Sequence, residues 1–518
     1  MVSDKRITHH IASWLKAYGV AHVVASSGSR NAPLVITLAG AEQFQLSTIT
    51  DERSAGFQAL GAAQMAAKPV AVCCTSGSAV ANYYPAVLEA FYSKTPLIIL
   101  TADRPRERIG KGEGQTCVQP QFFEPHIQAS IHIEDGMDDE TIASLLNLAG
   151  IQLAQEGGPV HINVALEEPL YGQVAELEVF EYEASEPFAM PMFLDEPEGE
   201  VLFVAAQMKP EDAQKVMDWN AANGAFPMYA DPLSNLLGKA ANIYPIELLF
   251  GQKLPKTVVT FGGQLVDKKL KQQLRSQGVD QHVHVDPFQD WDVLDADVDH
   301  LASFDKLGVL DSWTASAFQI SKEAGEISDL PWSDSAAFQT LSKAISQDDV
   351  VHLGNGSVVR YAGYFPLAGA VYGNRGISGI DGSLSTAVGA AMADPSRQHW
   401  CIVGDQGFLY DSNALWQPAL PKNLIVVVLN NGIGEIFNWL PGKEQVSPAA
   451  QHVFDAPQNV DLEKLCAAFG ADYLCASSFA ELGLALKGNN HCSIIEVKTQ
   501  NAPNTATYKE LKHQLYGH

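Results

Sequence analysis

The stretch that decides the fold opens with Gly404-Asp405-Gln406 and closes with Leu424-Ile425-Val426-Val427-Val428-Leu429-Asn430-Asn431-Gly432-Ile433-Gly434. The apolar run has the length and β-branched character of a strand buried on both faces. An acidic residue closes one strand and an Asn pair closes the next, so oxygen donors stand at both ends. Asp405 offers a carboxylate, Asn431 an amide oxygen, and the turn at 432–434 a main-chain carbonyl. A hard divalent cation takes such ligands in near-octahedral array and keeps phosphate oxygens as further ones. The separation of 26 between Asp405 and Asn431 leaves room for one helix, expected from Asp411 to Trp416 onward, and the strand 424–429.

The same alternation extends outward. Residues 8–18 carry apolar side chains at helical spacing, and 20–25, 69–74 and 96–101 are short apolar runs preceded by helical segments. Repeated strand, loop and helix predict parallel sheets covered on both faces. An acidic stretch at 176–200, broken by Pro187, Pro191 and Pro197, reads as a linker. A second block follows with strands near 201–206, 258–261 and 282–285; a third has strands at 350–353, 400–403, 424–429 and 493–497. The fold class is therefore α/β, with three doubly wound parallel-sheet domains at 1–178, 200–325 and 336–518.

Bulk properties bound the chemistry. Apolar residues at 46% and charged ones at 18% fit a globular chain. With 33 Lys plus Arg against 60 Asp plus Glu, the net charge of −27 repels nucleic acid and anionic membrane surfaces. Any anionic substrate must then be caught by a local Arg cluster. Seven dispersed cysteines without a C-x-x-C pair indicate reduced thiols and a cytoplasmic setting. No apolar run approaches the ~18 residues of a membrane span, and the polar start at residues 1–6 is unlike a signal peptide.

Three segments after strands of the first block share the sheet edge where ligands bind: Ser27-Gly28-Ser29-Arg30-Asn31-Ala32-Pro33, Asp51-Glu52-Arg53-Ser54, and Thr101-Ala102-Asp103-Arg104-Pro105. Singly they have ordinary readings: Ser29 or Asn31 as a helix cap, Glu52 as a first-turn acid favoured by the helix dipole. Together with Thr75-Ser76-Gly77-Ser78, Asn82, Gly112-Glu113-Gly114-Gln115, Asn374-Arg375-Gly376-Ile377-Ser378-Gly379-Ile380-Asp381-Gly382 and the Gly404 segment, they form a specific set. That set resembles the thiamine diphosphate-dependent enzymes, and within them the 2-succinyl-5-enolpyruvyl-6-hydroxy-3-cyclohexene-1-carboxylate synthase family of menaquinone biosynthesis. The likeness is strong over residues 1–130 and 350–445 and poor between them.

The resemblance implies a thiamine diphosphate-binding fold: a pyrimidine-binding domain at 1–178, a central domain at 200–325 and a diphosphate- and metal-binding domain at 336–518. It implies decarboxylation of 2-oxoglutarate and addition of the resulting succinyl carbanion equivalent to isochorismate, with thiamine diphosphate and Mg2+ or Mn2+ as cofactors. Glu52 and Gln115 match catalytic positions. Glu52, Ser76, Asn82, Ser378, Ile380, Asp405, Gln406, Gly407, Asn431 and Ile436 match cofactor contacts. Asp405, Asn431 and the main-chain oxygen of Ile433 match the metal ligands. Ser29, Arg30, Arg104, Gln115, Ser357, Arg360, Arg375, Ile436, Phe437 and Leu440 match substrate contacts. The resemblance also implies a homodimer or homotetramer with each site at a subunit interface.

The chain departs from that pattern at Ser27, Asn31, Gly114, Gly356 and Ile433. Ile disfavours positive φ, which leaves the geometry of the metal turn open. Other thiamine diphosphate carboligases, a non-catalytic paralogue and a nicotinamide-binding oxidoreductase remain as alternatives. For the last, Gly262-Gly263 is only a fragment of a dinucleotide fingerprint.

Overall fold

The computed structural model describes residues 1–518 except 67, 187–193, 195, 198, 289–291, 322, 323, 326, 328, 418, 419, 440, 441, 488–492, 517 and 518. Three six-stranded sheets carry the chain, each parallel throughout. Their central strands are mostly apolar runs such as Val70–Cys74, Leu97–Asp103 and Leu424–Asn430, as burial on both faces requires.

In space the first sheet runs Gln45–Thr48, His22–Ala25, Val70–Cys74, Leu97–Asp103, Val160–Ala165, Ala129–Glu134. Strand order reverses between His22–Ala25 and Val70–Cys74, and ligands of open parallel sheets bind beyond the strand ends at such a point. The loops leaving these two strands carry Ser29, Arg30 and Ser76. The third sheet runs Ala370–Tyr372, Val350–Leu353, His399–Gly404, Leu424–Asn430, Ser493–Lys498, Asp472–Ala476. It reverses between Val350–Leu353 and His399–Gly404, whose exits carry Ser357 and Asp405.

The middle sheet reverses between Val201–Ala205 and Thr257–Phe261. There the amide of Gly262 donates to the Val285 carbonyl at 2.8 Å and that of Gly263 to the Gln207 carbonyl at 2.8 Å. A Cβ on Gly262 would lie 2.3 Å from the Gln207 oxygen. Both amides are spent inside the fold, which removes the physical basis for a dinucleotide phosphate cradle at Gly262-Gly263.

The chain divides into two compact units. The first comprises Met1–Phe188, Asn374–Ser396 and Asp411–Pro421; the second Ala189–Gly373, Arg397–Tyr410 and Lys422–His518. Within the first, helices Glu52–Ala66 and Ser383–Ala393 pack main chain against main chain. A Cβ on Gly61 would stand 1.9 Å from the Thr386 carbonyl oxygen, and one on Gly389 1.9 Å from that of Gln58.

Two local expectations are corrected. A helix does not run from Asp411 through Trp416; the helix is Asp405–Tyr410, beginning at Asp405 itself, followed by a 3-10 turn at Ser412–Leu415. Asp411 is instead a fully buried acceptor for the amide and hydroxyl of Ser385, at 2.7 and 2.8 Å. The acidic stretch after 176 is no free linker at its start, because it lies along helix Arg6–Ala17. Glu178 donates its amide to His9, Phe180 donates its amide to Ser13 and stacks on the His10 ring, and the Tyr182 hydroxyl meets His10 Nδ1.

Candidate active site

In the second unit, Gly404 pairs with Leu429 across adjacent parallel strands, so Asp405 and the Asn pair leave the sheet side by side. Asp405 is 2% exposed, and burial pushes its carboxyl up to about 6. Gln458 spans the gap, donating its amide nitrogen to Asp405 Oδ2 at 2.6 Å and to Asn430 Oδ1 at 3.0 Å. Asn431 donates its side-chain nitrogen to Asp334 at 2.8 Å, while its oxygen accepts the Ile433 amide at 3.1 Å. That oxygen keeps a second lone pair for a cation.

The departure at Ile433 is absorbed by its neighbour: Gly432 takes the positive φ of 80°, and Ile433 is not among the left-handed residues. The Ile433 carbonyl accepts the Glu435 amide at 3.0 Å and retains one lone pair. Carboxylate, amide oxygen and main-chain carbonyl form the donor set a hard cation takes with phosphate. A Cβ on Gly404 or Gly356 would meet nothing within 4 Å, so both loops are open beside the strand ends. The residues therefore fit a cation and a diphosphate. Gln406 donates to the carbonyls of Asp455 and Ala456, and Gly407 lies in the same helix. Ile436 is partly buried; Phe437 packs on Phe454 with ring centroids 5.8 Å apart. Leu440 lies outside the described residues.

In the first unit, helix Glu52–Ala66 begins at Glu52, but Asp51 does the capping. Asp51 accepts the Arg53 amide at 3.0 Å, the Ser54 hydroxyl at 3.2 Å and the Asn413 side chain at 2.9 Å. Glu52 is left out of the cap, half-buried, near Cys74 and Tyr83. Ser76 donates its hydroxyl to the Gln115 carbonyl at 2.8 Å, and the Gln115 main chain packs on Gly77. Gln115 holds a left-handed φ of 53° and is exposed, as is Asn82.

Arg30 and Arg104 meet at one cavity of about 420 Å³, with Arg108, Glu113 and Glu168 also on its wall. Arg30 is 7% exposed; it donates to the Leu166 carbonyl at 3.1 Å and pairs with Glu168 at 3.0 Å. Arg104 donates twice to the Gly114 carbonyl, at 3.2 and 3.0 Å, and lies 3.9 Å from Glu113. Acidic side chains thus share the wall with the arginines. Ser29 is exposed beside Arg30. Arg375, Ser378 and Ile380 share one loop of this unit. Ile380 is 41% exposed, which rules out a role as an ordinary core residue. Arg360 belongs to the second unit, where it donates to the Gly356 carbonyl beside Ser357.

Two residues beside the turn at Asn431 escaped the sequence reading. Asp334, fully buried, fixes the Asn431 amide, and Gln458 bridges Asp405 and Asn430. Ser333 before Asp334 caps the following helix by accepting the Ala336 amide. Gln458 lay in no motif.

The sequence matches the thiamine pyrophosphate enzyme N-terminal TPP binding domain over residues 5–124 and the corresponding C-terminal TPP binding domain over residues 355–497. It is 33% identical to the 2-succinyl-5-enolpyruvyl-6-hydroxy-3-cyclohexene-1-carboxylate synthase of Flavobacterium johnsoniae, over 96% of this chain and 97% of that one. Its identity to the proteins of the same name from Bacteroides fragilis and Desulfotalea psychrophila is 35% in both cases. These cover 86% and 91% of this chain and 86% and 92% of theirs. The fold is similar to that of benzoylformate decarboxylase from Polynucleobacter necessarius, with a TM-score of 0.70 at 17% identity, covering 97% of this chain and 99% of that one.

Proposed function

The chain belongs to the 2-succinyl-5-enolpyruvyl-6-hydroxy-3-cyclohexene-1-carboxylate synthase family of thiamine diphosphate enzymes, and from that premise we propose how its residues serve the reaction. The enzyme forms a carbon–carbon bond: 2-oxoglutarate loses carbon dioxide and the remaining succinyl unit is joined to isochorismate, a step of menaquinone biosynthesis. Thiamine diphosphate, when bound, supplies the carbanion chemistry that a 2-oxo acid needs to lose carbon dioxide.

Asp405, the Asn431 side chain and the Ile433 carbonyl would hold Mg2+ or Mn2+ together with the diphosphate. Gln406, Gly407 and Ile436 line that end; Ser76, Asn82, Ser378 and Ile380 line the other, with Ile380 as an apolar wedge. Glu52, a carboxyl not used as a cap, would hold or release a proton at a ring nitrogen of the aminopyrimidine when the cofactor is bound. Gln115, positioned through its own carbonyl by Ser76, would lie beside the reactive ring when the cofactor is bound. The substrates carry four carboxylates between them; Arg30, Arg104, Arg360 and Arg375 bind these, with Ser29 and Ser357 adding hydroxyls. Phe437 closes the apolar side.

The observation that carries this reading is the pairing of Gly404 with Leu429, which sets Asp405 beside the Asn pair at one sheet edge. Titration calorimetry with thiamine diphosphate tests it: uptake should require Mg2+ or Mn2+, and uptake unchanged in a chelator contradicts it.

Domains at 1–178, 200–325 and 336–518 are supported by one six-stranded sheet in each. A homodimer or homotetramer with sites shared between subunits is supported by exposed apolar side chains such as Ile377 and Ile380 on a motif loop. Full activity in a monomer would contradict it. A cytoplasmic enzyme is supported by the described cysteines, all free thiols. Among the described residues no helix is long and apolar enough to cross a membrane.

A further inference from the structure

Helix Tyr84–Ser93 carries Glu89, a carboxylate only 2% exposed. Its Oε1 accepts the amide of Gly376 at 2.7 Å and its Oε2 the amide of Ile377 at 3.1 Å. Two successive main-chain donors thus converge on one side chain 287 residues away in sequence. The approach is tight, since a Cβ on Gly376 would lie 2.7 Å from the Glu89 carbonyl oxygen and 3.0 Å from its carboxyl. Burial raises the carboxyl to about 7; the two amides and Arg375 oppose that rise, and Asp381 adds to it.

An ionised carboxylate is the side chain suited to this place. It accepts at both oxygens and donates nowhere, so both amides are satisfied at once. A carboxamide would turn an N–H towards one of them. The loop so held carries Arg375, Ser378 at a left-handed φ of 62°, and the exposed Ile380.

We infer that Glu89 is a positioning residue: by clamping the main chain at Gly376 and Ile377 it fixes where Arg375, Ser378 and Ile380 present themselves to substrate and cofactor. The inference rests on the proposed function for the role of that loop. The clamp itself does not depend on it.

The test uses the full chain at pH 8, where the carboxyl is ionised, with the variants E89Q and G376A. Amide hydrogen exchange is read in the free protein. In E89Q, exchange in 374–382 should quicken at least tenfold while the peptide covering 52–66 keeps its wild-type rate. With thiamine diphosphate, Mg2+, 2-oxoglutarate and isochorismate, KM for either acid should rise at least tenfold and kcat fall less than threefold. G376A, which displaces the same loop from the other side, should give the same pair of changes and carries the test alone should E89Q not fold. Unchanged exchange in 374–382 overturns the inference. So does a rise spread evenly over the molecule, or a loss confined to kcat. If the wild-type protein shows no turnover, the functional reading fails, and exchange alone still decides whether Glu89 clamps the loop.

Discussion

Asp334 accepts the side-chain nitrogen of Asn431 at 2.8 Å, and so decides which end of that amide is left for a cation. Its other oxygen accepts the Thr499 hydroxyl at 2.5 Å, so the carboxylate is anchored on both sides. Groups that orient a metal ligand typically contribute 10- to 100-fold in metal affinity. Asp334→Ala should therefore weaken Mg2+-dependent thiamine diphosphate binding by about 10- to 100-fold, read by calorimetry on protein with a wild-type circular dichroism spectrum.

Glu52 and Asp51 are adjacent and differ in task. Asp51 caps helix Glu52–Ala66, and its replacement by Ala should cost about 1 kcal/mol of stability. Glu52→Gln should leave stability and diphosphate binding near wild type. Turnover should fall by about 10²- to 10⁴-fold, the usual worth of a positioned proton-transfer group. Retained turnover in Glu52→Gln would return that residue to the rank of a first-turn acid.

Arg30 is nearly buried on a cavity wall with Arg104. Hydrogen bonds to charged groups contribute about 1.5–3 kcal/mol, so Arg30→Ala should lower kcat/KM by about 10- to 100-fold, mostly through KM. Its partner Glu168 has a side chain 67% exposed, and exposed ion pairs contribute little. Glu168→Gln should leave KM within about threefold of wild type. Steady-state kinetics on both variants separates the two expectations.

Glu247 gives a pH signature. It is 6% exposed, and burial first, then Asp267 and Asp231, push its carboxyl up to about 8, against the pull of Lys512. The folded chain then holds this proton over a range, from about 4.5 to about 8, in which the unfolded chain has released it. Its contribution to stability is complete below that window and is lost as pH rises through it. Relative to wild type, Glu247→Gln should gain stability between pH 5 and pH 9, by at most about 5 kcal/mol. Thermal midpoints of the two proteins across that range check the sign. A gain towards low pH would be contrary to the account.

The strands and the oxygen donors at their ends were legible because their signals are local. An apolar run such as Leu424–Asn430 declares burial on both faces, and the oxygen donors stand at its end and at the end of its neighbour. What stayed hidden acts from a distance in sequence. Asp334, Gln458 and Glu89 lie in no motif and matter through partners up to 288 residues away. The strap at 178–182 was masked by its acidity and by the prolines after it, although His10 and Phe180 decide its path. At the turn after Asn431 the departure at Ile433 left the geometry open, and only the backbone shows the positive φ falling on Gly432. The Gly262-Gly263 pair looked like part of a phosphate loop until its amides proved to be used within the sheet.

The most direct measurement is the mass of the product formed from 2-oxoglutarate and isochorismate with thiamine diphosphate and Mg2+. The account predicts a single adduct carrying the succinyl unit, with one carbon dioxide released per adduct, and its loss in Asp405→Ala. Carbon dioxide release from pyruvate but not 2-oxoglutarate, or an adduct that forms equally without the cofactor, would contradict it.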